Sequence, residues 1–284
     1  LDFVLEQPNP ILPYEGDTWY MMDKEWCEKN NSARATDLSK AEETFANRNA
    51  NGTGPYRLVE KVPDIKTVLR KNESYWGKIE GNVDEAVFQR VVNHPTRVAA
   101  LLSGELDMIY NVPLQDIERV SKTQGFEVLK TPEMRIIYFG FDQARDELLE
   151  SSVKGKNPFK DARVRKAFWH AIDTDVIASR VMRGLSAPTG MMIAKEVNGY
   201  DKSIDQRPKF DVEAAKKLLA EAGYPNGFEV GMDCPNDRYI NDEPICQAVV
   251  SMLARAGIKA NLFAQTRGKF FQKILAPNYQ TSFF

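Results

Sequence analysis

The stretch 211-DVEAAKKLLAEAGYPNGFEVGMDC-234 decides the fold class. Asp211 stands as a side-chain cap ahead of Val212, Ala215, Leu218, Leu219 and Ala222, an apolar stripe at helical spacing. Gly223 stops that helix, Tyr224–Gly227 reads as a turn, and Phe228–Cys234 reads as a strand. The next segment continues the alternation. Asp242 is the expected cap of a helix with Pro244 in its first turn and a stripe at Ile245, Val249, Met252, Leu253 and Ala256. Gly257 ends it, and Ile258–Ala264 is a second strand. Helix and strand in alternation make this half of the chain α/β.

Working upstream, Asp161–Met182 reads as one helix, with Val164, Ala167, Phe168, Ala171 and Ile172 on its apolar face. A loop follows Gly184 and carries Pro188, Gly190, Met191 and Met192. Ahead of that helix lies 134-MRIIYFGF-141, the most apolar continuous run in the chain. It is long for one strand and suits a crossing between two domains. The first half predicts a hairpin from Pro55–Val62 and Lys66–Asn72 about Pro63-Asp64, then a strand over Val83–Val92. Further on it predicts a helix from His94 to Gly104, a strand at Leu106–Tyr110, a helix at Pro113–Lys122 and a strand at Phe126–Lys130. The first 50 residues read weakly: a strand at Leu1–Gln7, an irregular helix over 18–30, and a short helix at Ser39–Arg48 capped by Asp37 or Ser39.

With 284 residues, 43% of them hydrophobic and 27% charged, the chain is long enough for about two domains. A formal charge of −2 gives no basic excess to hold nucleic acid. No apolar run approaches the ~20 residues of a membrane span. The chain opens at Leu1 and closes on the apolar Thr281-Ser282-Phe283-Phe284, so the expectation is a piece of a longer protein.

The segment 51-NGTGPYRLVE-60 looks like a phosphate loop at first sight. A phosphate loop needs a helix start behind its glycines, to present free N–H groups to the anion. Here Pro55 and a strand-like run follow, with no Lys-Ser or Lys-Thr pair. The reading is a tight loop feeding a strand. No nucleophile motif or metal-ligand spacing appears, the only histidines being His94 and His170. His94 beside Pro95 is expected to cap a helix, and His170 to be structural or exposed. The loop 236-NDRY-239 lies between a strand end and a helix start, where α/β domains usually bind ligands. Arg238 suits a carboxylate partner there, or a salt bridge to Asp237 or Asp242; the residues alone leave both open. Cys234 and Cys246 are either a disulfide or two buried thiols.

Several segments together resemble one family: NGTGPYRLVE, RKNESYWG, TRVAALLSGELDMIY, IIYFGFDQ, FKDARVRKAFWHAID, VMRGLSAPTG and DVEAAKKLLAEAGYPNG. In this order and spacing they are similar to the extracellular solute-binding proteins of ABC importers, the peptide- and oligopeptide-binding family 5. The resemblance implies a two-lobed, periplasmic-binding-protein-like α/β fold (type II, cluster C), truncated at both ends. Residues 1–132 would form part of lobe 1 and 133–284 most of lobe 2, with a hinge-crossing strand near 134–141. It implies a monomer without enzymatic activity, cofactor, metal or nucleic-acid partner. Such a protein captures a peptide, opine or oligosaccharide and delivers it to an inner-membrane permease from the periplasm or a membrane-associated extracellular position. The implied ligand-binding residues are Asn236, Arg238, Tyr239, Arg267, Tyr138 and Met191. Arg267 departs from the pocket aromatic of some relatives, which favours an anionic or sugar-bearing ligand over a dipeptide. The resemblance tips Cys234 and Cys246 towards a disulfide and leaves Cys27 unpaired. A hydrolase-type enzyme on an α/β scaffold, and a sensor or carrier of haem or metal chelates, are the competing readings.

Overall fold

The computed structural model describes residues 3–37, 42–131, 133–276 and 278–284. The chain packs as two compact units, Leu1–Ala99 and Ala100–Phe284. This division by packing falls upstream of the 132/133 lobe boundary expected from the sequence.

In the first unit, short helices α1 (Leu12–Glu15) and α2 (Lys24–Lys29) precede the sheet. The Asp23 carboxylate accepts the Trp26 N–H at 2.6 Å and so starts α2 there, which confines the helix expected over 18–30. The expected strand at Leu1–Gln7 is absent over residues 3–7, and its first two residues lie outside the described ones. The helix expected from Ser39 is a single 3₁₀ turn, Phe45–Asn47, where Thr44 and Asn47 close a capping box; Ser39 itself lies outside the described residues.

Strands β1 (Tyr56–Val62), β2 (Lys66–Lys71) and β3 (Glu85–Gln89) form an antiparallel sheet in that order. Leu58 faces Leu69, and Val68 faces Val87, the apolar cross-strand pairs that set the register. The register shifts between Leu58 and Glu60, so Val59 is the extra residue of a bulge. The Gly-Thr-Gly-Pro loop is pinned at the mouth of the hairpin. Buried Asn72 donates its amide to the Gly54 carbonyl at 3.0 Å, and its backbone N–H to Pro55 at 2.8 Å. The loop serves strand entry.

Helix α3 (His94–Leu102) is capped by Asn93, not by His94 as expected. The Asn93 side-chain oxygen accepts from the Thr96 N–H and hydroxyl at 2.9 and 2.8 Å. An amide oxygen one residue earlier reaches the free N–H groups, which an imidazole at the first helical position cannot. Helix α4 spans Ile117–Lys122. The expected strands at Leu106–Tyr110 and Phe126–Lys130 do not form. A strand exists through its ladder, and the described residues offer these two no partner.

The expected long helix over Asp161–Met182 is broken. Asp161 caps α5 (Ala162–Ala171), Ile172 turns extended, and Asp173 caps α6 (Thr174–Val176) by accepting the Val176 N–H. A π-helical turn, Ile177–Val181, closes the segment. The second capping aspartate competes with helix continuation, which the apolar stripe alone does not reveal. Asp211 caps α7 (Val212–Glu221) as expected. Strand β4 (Phe228–Pro235), helix α8 (Asp242–Arg255) and strand β5 (Ile258–Gln265) form a parallel β–α–β unit, in register from Phe228–Ile258 to Pro235–Gln265. Helix α9 (Arg267–Ile274), which the sequence reading did not anticipate, follows.

The core of this unit packs α5, α7 and α8 against β4 and β5. A knot of rings, Phe141, Phe159, Phe168, Phe228 and Phe283, fills its centre, with Phe141 and Phe283 stacked at 5.2 Å. The run MRIIYFGF is divided in character. Met134, Ile137 and Tyr138 are exposed, whereas Phe139 and Phe141 pack on the core. Gly140 and Phe284 exchange backbone hydrogen bonds, and the Phe283 carbonyl accepts the Asp233 N–H from β4 at 2.8 Å. The final residues therefore lie between the apolar run and β4. Gly140 is required there, because a Cβ would sit 2.5 Å from the Phe284 ring.

Candidate functional site

The site grows from the carboxyl end of β4. Parallel strands end in loops that leave backbone groups and side chains free for a ligand. The β4–α8 loop is held in shape from below by buried Asp242. One of its oxygens accepts the N–H groups of Arg238 and Tyr239 at 2.9 and 3.0 Å, and the other accepts that of Glu243 at 3.0 Å. Asp242 thus works as a loop clamp. The residue in the cap position is Asn241, at φ 54°, and its amide donates to the Val181 carbonyl at 2.9 Å. Asn236 joins the loop to the end of β5 through its N–H and the Gln265 carbonyl, at 2.9 Å.

The carboxylates near Arg238 are engaged by backbone groups. Asp242 is occupied by backbone donors, and Asp237 accepts the backbone N–H of Arg267. The Arg238 guanidinium lies over the Tyr239 ring at 4.8 Å. Arg135, from the apolar run, approaches the same ring at 5.6 Å and pairs with Glu133 at 2.7 Å. Two cations therefore approach the Tyr239 ring, Arg238 half-buried and Arg135 exposed. Arg135 gives no signal in the sequence, because a single arginine inside an apolar run reads as an interruption.

The remaining expected residues are distributed around this loop. Arg267 is exposed at the first position of α9, tied to the loop by its backbone. Tyr138 is half exposed and meets Phe284 edge-on at 6.4 Å. Met191 belongs to a separate loop organised by Asp205, whose carboxylate accepts from the Gly190 N–H at 2.6 Å, Tyr200 hydroxyl at 2.7 Å and Thr189 hydroxyl at 2.9 Å. The Gly190 amide first, then those hydroxyls, hold the Asp205 carboxyl below its ordinary range. Nothing in the geometry brings Met191 to Tyr239. His170 is structural: its Nδ1 lies 2.9 Å from the Lys209 carbonyl, and its own carbonyl accepts from Asp211.

Beneath the loop, buried Asp233 of β4 pairs with Lys273 of α9 at 2.6 Å and accepts from Gln265 at 2.8 Å. Cys234 and Cys246 are joined in a disulfide that ties the end of β4 to α8, and Cys27 is a buried free thiol. A cavity of about 380 Å³ opens elsewhere in the same unit, between α4 and the segment that follows the π-helical turn. Among the described residues no cluster of His, Cys, Asp and Glu is arranged to hold a metal ion, and no helix is long and apolar enough to cross a membrane.

The fold is that of the periplasmic binding proteins. The ABC transporter-associated DppA of Helicobacter pylori, in complex with the peptide STSA, superposes with a TM-score of 0.67 at 25% identity, over 92% of this chain and 46% of that one. AgaA of A. tumefacien R10, in complex with agropinic acid, gives 0.61 at 28% identity, over 81% and 44%. The chain belongs to the bacterial extracellular solute-binding proteins, family 5, whose middle region matches residues 1–284. It is 29% identical over 213 residues to heme-binding protein A of Haemophilus influenzae, covering 74% of this chain and 37% of that protein. The chain spans less than half the length of these relatives. The family and these neighbours are transport binding proteins.

Proposed function

We propose that this protein is the substrate-binding component of an ABC importer and captures a peptide-like or opine-like solute. The observation that carries this reading is the family match along all 284 residues. The hydrolase reading gains no support from the family or its neighbours. Residues 1–132 and 133–284 belong to two lobes, 134–141 is a crossing between them, and the solute lies in the cleft. Closure of the lobes on the solute presents the closed form to a membrane permease, so binding energy selects a conformation and no bond is made or broken. The protein acts as a monomer outside the inner membrane, in the periplasm or on its outer face. A disulfide between Cys234 and Cys246 agrees with that oxidising compartment.

Within the site, Asn236, Arg238, Tyr239 and Arg267 contact the solute, with Tyr138 and Met191 at its margin. Tyr239, approached by Arg135 and Arg238, offers a flat ring to the solute. Arg238 offers N–H donors that no carboxylate of the described residues engages. Native mass spectrometry on the full-length protein, before and after denaturing dialysis, tests the reading. A small molecule that is released and rebinds unchanged is the expected result. A molecule returned chemically altered would make the protein an enzyme.

A further inference from the structure

The 380 Å³ cavity is open to solvent, its charged side chains are exposed, and its charge is lopsided. Leu114, Ile117 and Leu185 give it an apolar wall. Glu118 is the one carboxylate among its lining residues, against Lys122, Lys130 and Arg183. Lys122 lies one helical turn from Glu118 and hydrogen-bonds to it, so that pair cancels. The Glu118 carboxyl is held below its ordinary range first by that hydrogen bond and charge, and in small part by Arg183. Lys130 and Arg183 remain as the excess. Among the described residues neither has a carboxylate within ion-pair distance.

Arg183 is also placed at a conformational cost. Its φ is 51° and that of Gly184 is 76°, a left-handed pair in which the first member is not glycine. A left-handed residue just past the last helical one is a common close of a helical segment, and here it fixes where Arg183 leaves the π-helical turn. The backbone is fixed by the Gly184 N–H on the Ala178 carbonyl at 2.8 Å. The π-helical turn is further tied to the ligand loop, because Asn241 donates to Val181.

We propose that this cavity is a second binding subsite, in which Arg183 and Lys130 hold a carboxylate of the solute and the leucine–isoleucine wall takes an adjoining apolar group. The assignment rests on the solute-binding reading above. A guanidinium and an ammonium lining one cavity beside an apolar wall favour an amphipathic monoanion over a neutral sugar.

The test is isothermal titration of the solute-stripped full-length protein with N-acetylphenylalanine and with its neutral amide. The acid should bind at least about tenfold more tightly than the amide, the span of a charge-assisted hydrogen bond. Arg183→Gly should abolish that preference while folding at least as well, since glycine suits the left-handed backbone. Lys130→Gln should reduce it. Equal binding of acid and amide, no binding of either at millimolar concentration, or a preference that survives Arg183→Gly would overturn the subsite. A co-purified solute whose affinity is unchanged by Arg183→Gly would remove the subsite and leave the carrier reading standing.

Discussion

At the scale of single residues, Asp233 joins β4 to α9 through Lys273 and to the end of β5 through Gln265. It is 1% exposed, lies near the carboxyl end of a parallel strand, and compensates one ammonium and one amide. Asp233→Asn leaves Lys273 facing a neutral group in a partly buried place. Loss of one partner from a buried pair costs about 3–5 kcal/mol, and the partial exposure of Lys273 reduces that to roughly 2. The urea midpoint should fall accordingly with the slope unchanged. An unchanged midpoint would show that solvent already screens the pair. At this scale the sequence was informative where a residue acts on its neighbours: Asp211 was legible as a cap because it and Ala214 are three residues apart. Asp233 was not legible, since its partner lies 40 residues away in a helix the sequence did not announce.

At the scale of elements, the β4–α8–β5 unit was readable because each piece announces itself locally. The stripes, the stopping glycines and the turn residues all agree. The disulfide adds a long-range tie, closing a loop with a sequence separation of 12. Loops of that size contribute about 3 kcal/mol by restricting the unfolded chain. Reductant should therefore lower the wild-type unfolding midpoint and leave a Cys234→Ala/Cys246→Ala variant unmoved. Identical response of the two proteins would mean that the cysteines are thiols. The elements that failed to appear, Leu106–Tyr110 and Phe126–Lys130, failed for the converse reason: local β-propensity does not supply a partner.

At the scale of the whole molecule, the proposed closure has a solution signature. Small-angle scattering of the full-length protein should show a smaller radius of gyration with its co-purified solute than after stripping. Equal radii would remove lobe closure from the mechanism.

The sequence by itself determined the α/β class, the strand-feeding role of the Gly-Thr-Gly-Pro loop and the family to which the chain belongs. All of these depend on order and spacing along the chain. The tertiary structure alone decided that Asp242 clamps the β4–α8 loop, that Arg135 and Arg238 both approach Tyr239, and that Lys130 and Arg183 line one cavity. Arg135 and Tyr239, like Lys130 and Arg183, are far apart in sequence, and the local contacts of Asp242 and Arg238 depend on the shape of the folded loop. Packing therefore decides which groups come within reach of hydrogen bonds and cation–ring contacts.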